Sequence, residues 1–182
     1  MKKLQPTLTF TVLILCASLI FSSCKKITKT TTFNLSYTKD VTIPSTTSIN
    51  LPFNLITPDI QTESSSSFEG NNTRADLVDK IQLQSLVLSI NSPTGGNFNF
   101  LKAVTIRLSA SGLADTTIAS KYNLQNTGTN SLSLDVSSVN LKDYLIKDKI
   151  TLTLNSTTDE LLTADYSIKV QSVFKVEARL IK

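Results

Sequence analysis

Apolar and polar residues alternate one by one along most of this chain. Phe33, Leu35 and Tyr37 alternate with Asn34 and Ser36, and Ile49, Leu51, Phe53 and Leu55 follow in a single phase. Successive side chains of a strand point to opposite faces, so a period of two predicts strands with one buried and one wet face. Pro52 falls on the outward phase; lacking an N–H for the ladder, it predicts an edge strand or a bend. Ile81 and Leu83 alternate, and then Leu86, Leu88 and Ile90 do so in the other phase. The change across Ser85 predicts a bulge. Val104, Ile106, Leu108 and Ala110 predict a further strand, as do Leu132, Leu134 and Val136, and Ile150, Leu152 and Leu154. The longest run begins near Asp165: Tyr166, Ile168, Val170, Phe174, Val176, Ala178 and Leu180 face in, and Lys169, Gln171, Lys175, Glu177 and Arg179 face out.

Clusters of Ser, Thr, Asn, Gly and Pro at 92–97, 125–130 and 155–159 predict the turns between these strands. Thr73 and Asp76, before Leu77 and Val78, have capping-box spacing, and Asn140 and Asp143 have a related spacing before Tyr144 and Leu145, so two short helical turns are expected there. Segment 61–72, QTESSSSFEGNN, has neither period and reads as a polar surface loop whose Phe68 tucks back onto the core. The whole pattern predicts an all-β protein: one antiparallel β-sandwich domain over 31–182, immunoglobulin-like, with seven or eight strands.

Before the first strand the pattern changes. Met1-Lys2-Lys3 precedes an uncharged run from Leu8 to Phe21, 14 residues by 21 − 8 + 1. A membrane-spanning helix needs roughly 20 apolar residues, so a shorter run behind a basic start reads as a signal peptide. Small residues Ser22 and Ser23 then lead to Cys24. Phe21-Ser22-Ser23-Cys24 resembles the lipobox that ends the signal peptides of bacterial lipoproteins, with Phe21 standing where leucine is commonest; the mature part resembles envelope β-sandwich lipoproteins. The resemblance implies a signal peptide over 1–23, a diacylglyceryl group on the Cys24 sulfur, an acylated amine and a tether over 24–30. Cys16 follows Leu13-Ile14-Leu15, too bulky for the cut, and leaves with the leader. Lys25 after the cysteine is not the aspartate that holds such proteins in the inner membrane. The resemblance therefore implies the outer membrane, at its periplasmic face, with the cell surface as the alternative.

Removing Lys2 and Lys3 leaves 16 basic and 14 acidic side chains, a net +2. That excess has no aromatic interleaving and gives no support for a nucleic-acid partner. The chain has no histidine and no tryptophan, and Cys24 is the only cysteine after the leader. Ser-His-Asp and Cys-His nucleophiles and His-ligated zinc or haem need an imidazole this chain lacks, and zinc knuckles and iron–sulfur clusters need thiolates the mature chain cannot supply. Calcium loops need clustered oxygen ligands, and the scattered Asp40, Asp59 and Asp115 do not supply them. No metal and no cofactor is expected.

Asp159 and Glu160, with Asp165 nearby, are the carboxylates that a glycan-directed hydrolase would use. Neighbours on one turn seldom face each other across a sugar. Asp115-Thr116-Thr117 resembles an acceptor site of bacterial periplasmic O-glycosylation, with Thr116 as acceptor. The sequence thus predicts no catalytic residue and a non-enzymatic binding or scaffolding module, whose partners are the membrane, through Cys24, and an envelope protein or a glycan. The alternatives are the hydrolase and a carrier with an apolar cavity of about 300 Å³ or more between its sheets.

Overall fold

A computed structural model describes residues 29–47, 51–124, 128–158 and 160–181. The predicted leader, Cys24 and most of the tether lie outside the described residues. Two antiparallel sheets form a sandwich. The first has the order β1 (Thr30–Ile43), β10 (Tyr166–Arg179), β4 (Val78–Ser92) and β7 (Ser131–Ser133). The second runs β2 (Pro52–Ile56), β9 (Lys149–Thr158), β5 (Leu101–Ala110), β6 (Thr116–Lys121) and β8 (Asp135–Val136), with β3 (Ile60–Gln61) also pairing β9. Of the ten strands among the described residues, β3 and β8 are only two residues long, leaving eight longer ones.

The period of two is visible in the burial. Along β1, Leu35, Val41 and Ile43 face the core, and along β10, Ile168, Val170, Phe174, Val176 and Ala178 do so. They join Ile81, Leu86, Leu88, Ile106, Leu108, Ile118 and Leu152 in one continuous core. Each of these Val, Leu, Ile and Phe side chains contributes about 1.5–3 kcal/mol by leaving water. The expected bulge is present: Val173 faces Ser85 and Phe174 faces Leu83, so Gln84 is the extra residue. It lets Leu83 and Leu86 point to the same side. Pro52 opens β2, which lies at an edge of its sheet, where no partner requires the missing donor.

Four local expectations change. Residues 155–158, expected in a turn, continue β9, because β2 on one side and β5 on the other both pair with them. Leu132 and Val136 do not share a strand: Leu132 lies in β7 opposite Leu88, and Val136 lies in β8 opposite Ala119 of the other sheet. The chain crosses between sheets at Leu134, whose N–H donates to the Leu86 carbonyl at 3.0 Å. Alternation continues through such a crossing, so the pattern alone cannot reveal it. Thr73 is not a cap; its hydroxyl donates to the Arg179 carbonyl at 2.7 Å, and the turn beyond it is a 3₁₀ helix at Ala75–Leu77. Segment 61–72 is not a structureless loop, because it contains helix α1 (Ser64–Gly70) with Phe68 1% exposed. The second expected turn, α2 (Lys142–Leu145), is present, and Asn140 Oδ1 accepts from the N–H groups of both Lys142 and Ile81 at 3.1 Å.

Candidate functional site

Long strand β1 pairs with β10 along its whole length, Thr30 with Arg179 through to Ile43 with Tyr166. Among the described residues no strand pairs with its other side, which is an edge of the sheet. The inward phase of β1 runs Phe33, Leu35, Tyr37, Lys39, Val41 and Ile43, so one charged residue interrupts an otherwise apolar and aromatic row. An inward-pointing charge is one of the devices by which natural sheets blunt an exposed edge.

Opposite this edge stands the segment that joins β3 to α1. Thr62 pins it from three directions. Its N–H donates to the Asp148 carbonyl at 2.9 Å, its hydroxyl donates to the Lys147 carbonyl, and its own carbonyl accepts the Tyr37 hydroxyl at 2.8 Å. The next residue, Glu63, has φ +46, a left-handed conformation that costs a side-chain-bearing residue about 1–2 kcal/mol. The three bonds at Thr62 and the burial of Phe68 on the other side hold it there.

Between β1 and this wall runs a cleft of about 430 Å³, bordered by Asn34–Lys39 of β1 and by Ile60–Glu63 and Ser67. A second hollow of about 480 Å³ shares Gln61, Thr62 and Glu63 and continues to Asp148 and Lys149. The lining is mostly neutral hydroxyls and amides, with Lys39 on one wall and Glu63 on the other. Neither of these two charges forms an ion pair among the described residues. Burial raises the Tyr37 phenol well above the ordinary tyrosine range, and the Glu63 carboxylate adds to the shift because a phenolate beside it would be repelled. Tyr37 is therefore a neutral hydroxyl that donates to Thr62. A third hollow of about 300 Å³ lies at Pro44, Leu51 and Phe53.

Of the residues singled out from the sequence, those that are described do not converge on this cleft. Cys24 and Asp159 lie outside the described residues. Glu160 is exposed, and Asp165 is committed to the Ser45 N–H at 2.8 Å, a bond that holds its carboxyl below the usual range. Thr116 is the half-buried first residue of β6 opposite Leu108, and the Asp115 carboxylate before it lies 4.0 Å from the Arg107 guanidinium. Among the described residues no three histidine, cysteine, aspartate or glutamate side chains cluster as metal ligands, and no helix is long and apolar enough to cross a membrane. Tyr37, Lys39, Thr62 and Glu63 are not singled out by the sequence reading. Lys39 leaves a signal there, a lysine in the buried phase of a strand; Thr62 and Glu63 leave none.

No protein-family model matches the chain, and no curated protein matches it. Among solved structures, a chain in the cryo-EM structure of Mud crab tombus-like virus aligns with a TM-score of 0.33 at 11% identity, over 92% of this chain and 99% of that one. Desmodium yellow mottle tymovirus aligns with a TM-score of 0.25, also at 11% identity, over 88% of this chain and 96% of that one. Likenesses this distant carry no argument about function.

Proposed function

We propose that this chain is a non-enzymatic lipoprotein of a bacterial envelope, a β-sandwich that binds or scaffolds a partner while acyl chains on Cys24 hold it to the membrane. The observation that carries the reading is the junction Phe21-Ser22-Ser23-Cys24, placed six residues (30 − 24) before β1 begins. Each buried methylene of an acyl chain contributes ~0.8 kcal/mol, so the two or more chains the lipobox implies make a lasting anchor. The 6 steps from Cys24 to Thr30, at ~3.4 Å each, reach at most about 20 Å. The domain then works close to the headgroups. Lys25 favours the outer membrane, with the periplasmic face as its site and the cell surface as the alternative.

The binding half of the proposal is supported by the rim cleft beside β1, whose neutral polar lining suits an envelope protein or a glycan better than a charged small molecule. A hydrolase on the same sandwich would need two facing carboxylates, whereas Glu160 is exposed and Asp165 is taken by Ser45. A carrier would need its room between the sheets, whereas the clefts described above open at the rim.

Mass spectrometry of the protein purified from membranes tests the anchor. The expected mature chain begins at Cys24 and carries acyl mass on that residue, and Cys24→Ala moves the protein to the soluble fraction. A chain that still begins at Met1, or a bare Cys24, overturns the reading. The same spectra report whether the peptide containing Thr116 carries a hexose.

A further inference from the structure

We infer that the cleft beside β1 is a slot for one extended peptide, which adds to the sheet as a strand next to Asn34–Lys39. The inference rests on the reading of this protein as a binding module and does not depend on the anchor.

The first reason is backbone chemistry. β1 is bonded along one side only, so alternate residues direct their N–H and C=O groups at the cleft. Among the described residues, no backbone hydrogen bond joins 31–43 to any segment other than β10. An unpaired row of this length is a template for another strand, and peptide-binding domains use such edges with main-chain bonds for affinity and side-chain pockets for specificity.

The second reason is the wall. Ile60–Glu63 stands beside the open edge, tied to it by the Tyr37–Thr62 bond, so the edge is reached through a slot and not across a flat face. A second copy of this chain pairing antiparallel through β1 would bring its own wall to the same side of the joined sheet. The two walls would compete for one slot, whereas a lone peptide has no such obstacle.

The third reason is charge. Among the described residues Glu63 and Lys39 line opposite walls without ion-pair partners, so the slot prefers a peptide that is uncharged along most of its length and sets a basic side chain toward Glu63. The row that holds the basic side chain would face the wall of Ile60 and Glu63, and the other row would face solvent.

Hydrogen–deuterium exchange on the full mature protein in detergent tests this, with an acetylated and amidated TVKVTV peptide as probe at about 1 mM. The expected result is exchange over 34–39 slowed at least about threefold, with β5 and β9 unchanged. The same peptide N-methylated at alternate residues, which has lost its pairing donors, gives no protection. Glu63→Gln weakens protection by TVKVTV at least about twofold, and Lys39→Gln weakens that by the charge-reversed TVEVTV, each with core exchange as the check on folding. The proposal is overturned if 34–39 is not protected, or if the methylated peptide protects equally. It is also overturned if protection rises with protein concentration alone, which makes a second copy the occupant. Acylated Cys24 with an unprotected β1 sinks the slot and leaves the anchor standing; protection with a bare Cys24 does the reverse.

Discussion

The wall of the cleft depends on Phe68, and replacing it by alanine tests how. Helix α1 has little reason to exist by itself. It spans seven residues, four of them consecutive serines, and its N-cap residue Glu63 makes no side-chain capping bond. Isolated helices shorter than ~12–15 residues are marginal even in alanine-rich chains. What holds α1 is tertiary: Phe68 is 1% exposed and its ring lies edge-on to Phe33 at 6.2 Å. If the surroundings stay in place, removing the ring leaves a cavity at a cost of about 3–5 kcal/mol. The chain has a second option, which is to release α1 and let the segment open; the observed global loss is the smaller of the two costs.

We therefore expect Phe68→Ala to lose about 3 kcal/mol in urea unfolding, and to open 61–72 well below the global transition. The segment contains Glu63 and Glu69 and no lysine or arginine, so a glutamate-specific protease reads its opening directly. Cleavage at these two sites should accelerate in the folded variant, and peptide protection of 34–39 should disappear with the wall. Phe68→Leu, which keeps most of the volume, should lose less than about 1.5 kcal/mol and keep the wall. A loss under about 1 kcal/mol for Phe68→Ala with unchanged cleavage would refute the reasoning, because α1 would then be held by something other than the ring.

Four further outcomes follow from the fold. Deleting Gln84 joins Ile81 and Leu83 to Leu86 and Leu88 in plain alternation, so that variant should fold, whereas deleting Gln82 drives Val78 and Ile81 out of phase with Leu83; moving two buried side chains into water costs about 3–6 kcal/mol, and circular dichroism melts separate the two deletions. Asn140→Ala removes an acceptor shared by the Ile81 and Lys142 amides and should cost about 1–3 kcal/mol in thermal melts, with Asn140→Asp, which keeps the acceptor, as the control. Because the Tyr37 phenol is raised in the folded state, the unfolded chain ionises first, so this residue's contribution is complete below about pH 10 and lost as pH rises further; the difference between wild type and Tyr37→Phe in urea midpoint should shrink from pH 9 to pH 11. Lys39→Val completes the apolar inward row of an open edge strand and should raise light scattering on warming, while Lys39→Arg should not.

How much of this was legible in the sequence depended on whether a feature is local. The bulge at Gln84 was readable because the phase of Leu83 against Leu86 records it in two adjacent apolar pairs. The edge position of β2 was readable because Pro52 carries its own missing donor. α1 was hidden because a run of serines with one phenylalanine has no helical period; its helicity comes from the partner Phe33 on β1. The split of 132–136 was hidden because Leu132 and Val136 alternate equally well in one sheet or across two.

The cleft was the least legible feature of all, since it exists only through pairings distant in the chain. β1 becomes an edge because the first strand pairs with the last, and Ile60–Glu63 becomes a wall because Thr62 bonds to Lys147 and Asp148 just before β9. Neither partnership leaves a mark near residues 34–39. What the local sequence does carry is the countermeasure: a lysine in the buried phase, which makes sense only if that side of the strand is open. A fully paired interior strand gains nothing from a charge facing its core and bears the desolvation cost of burying it. At an open edge the same lysine leans toward water and discourages a second sheet from joining. Lys39 thus argues that the open side of β1 belongs to the working fold, and the wall beside it restricts that opening to a slot for one strand.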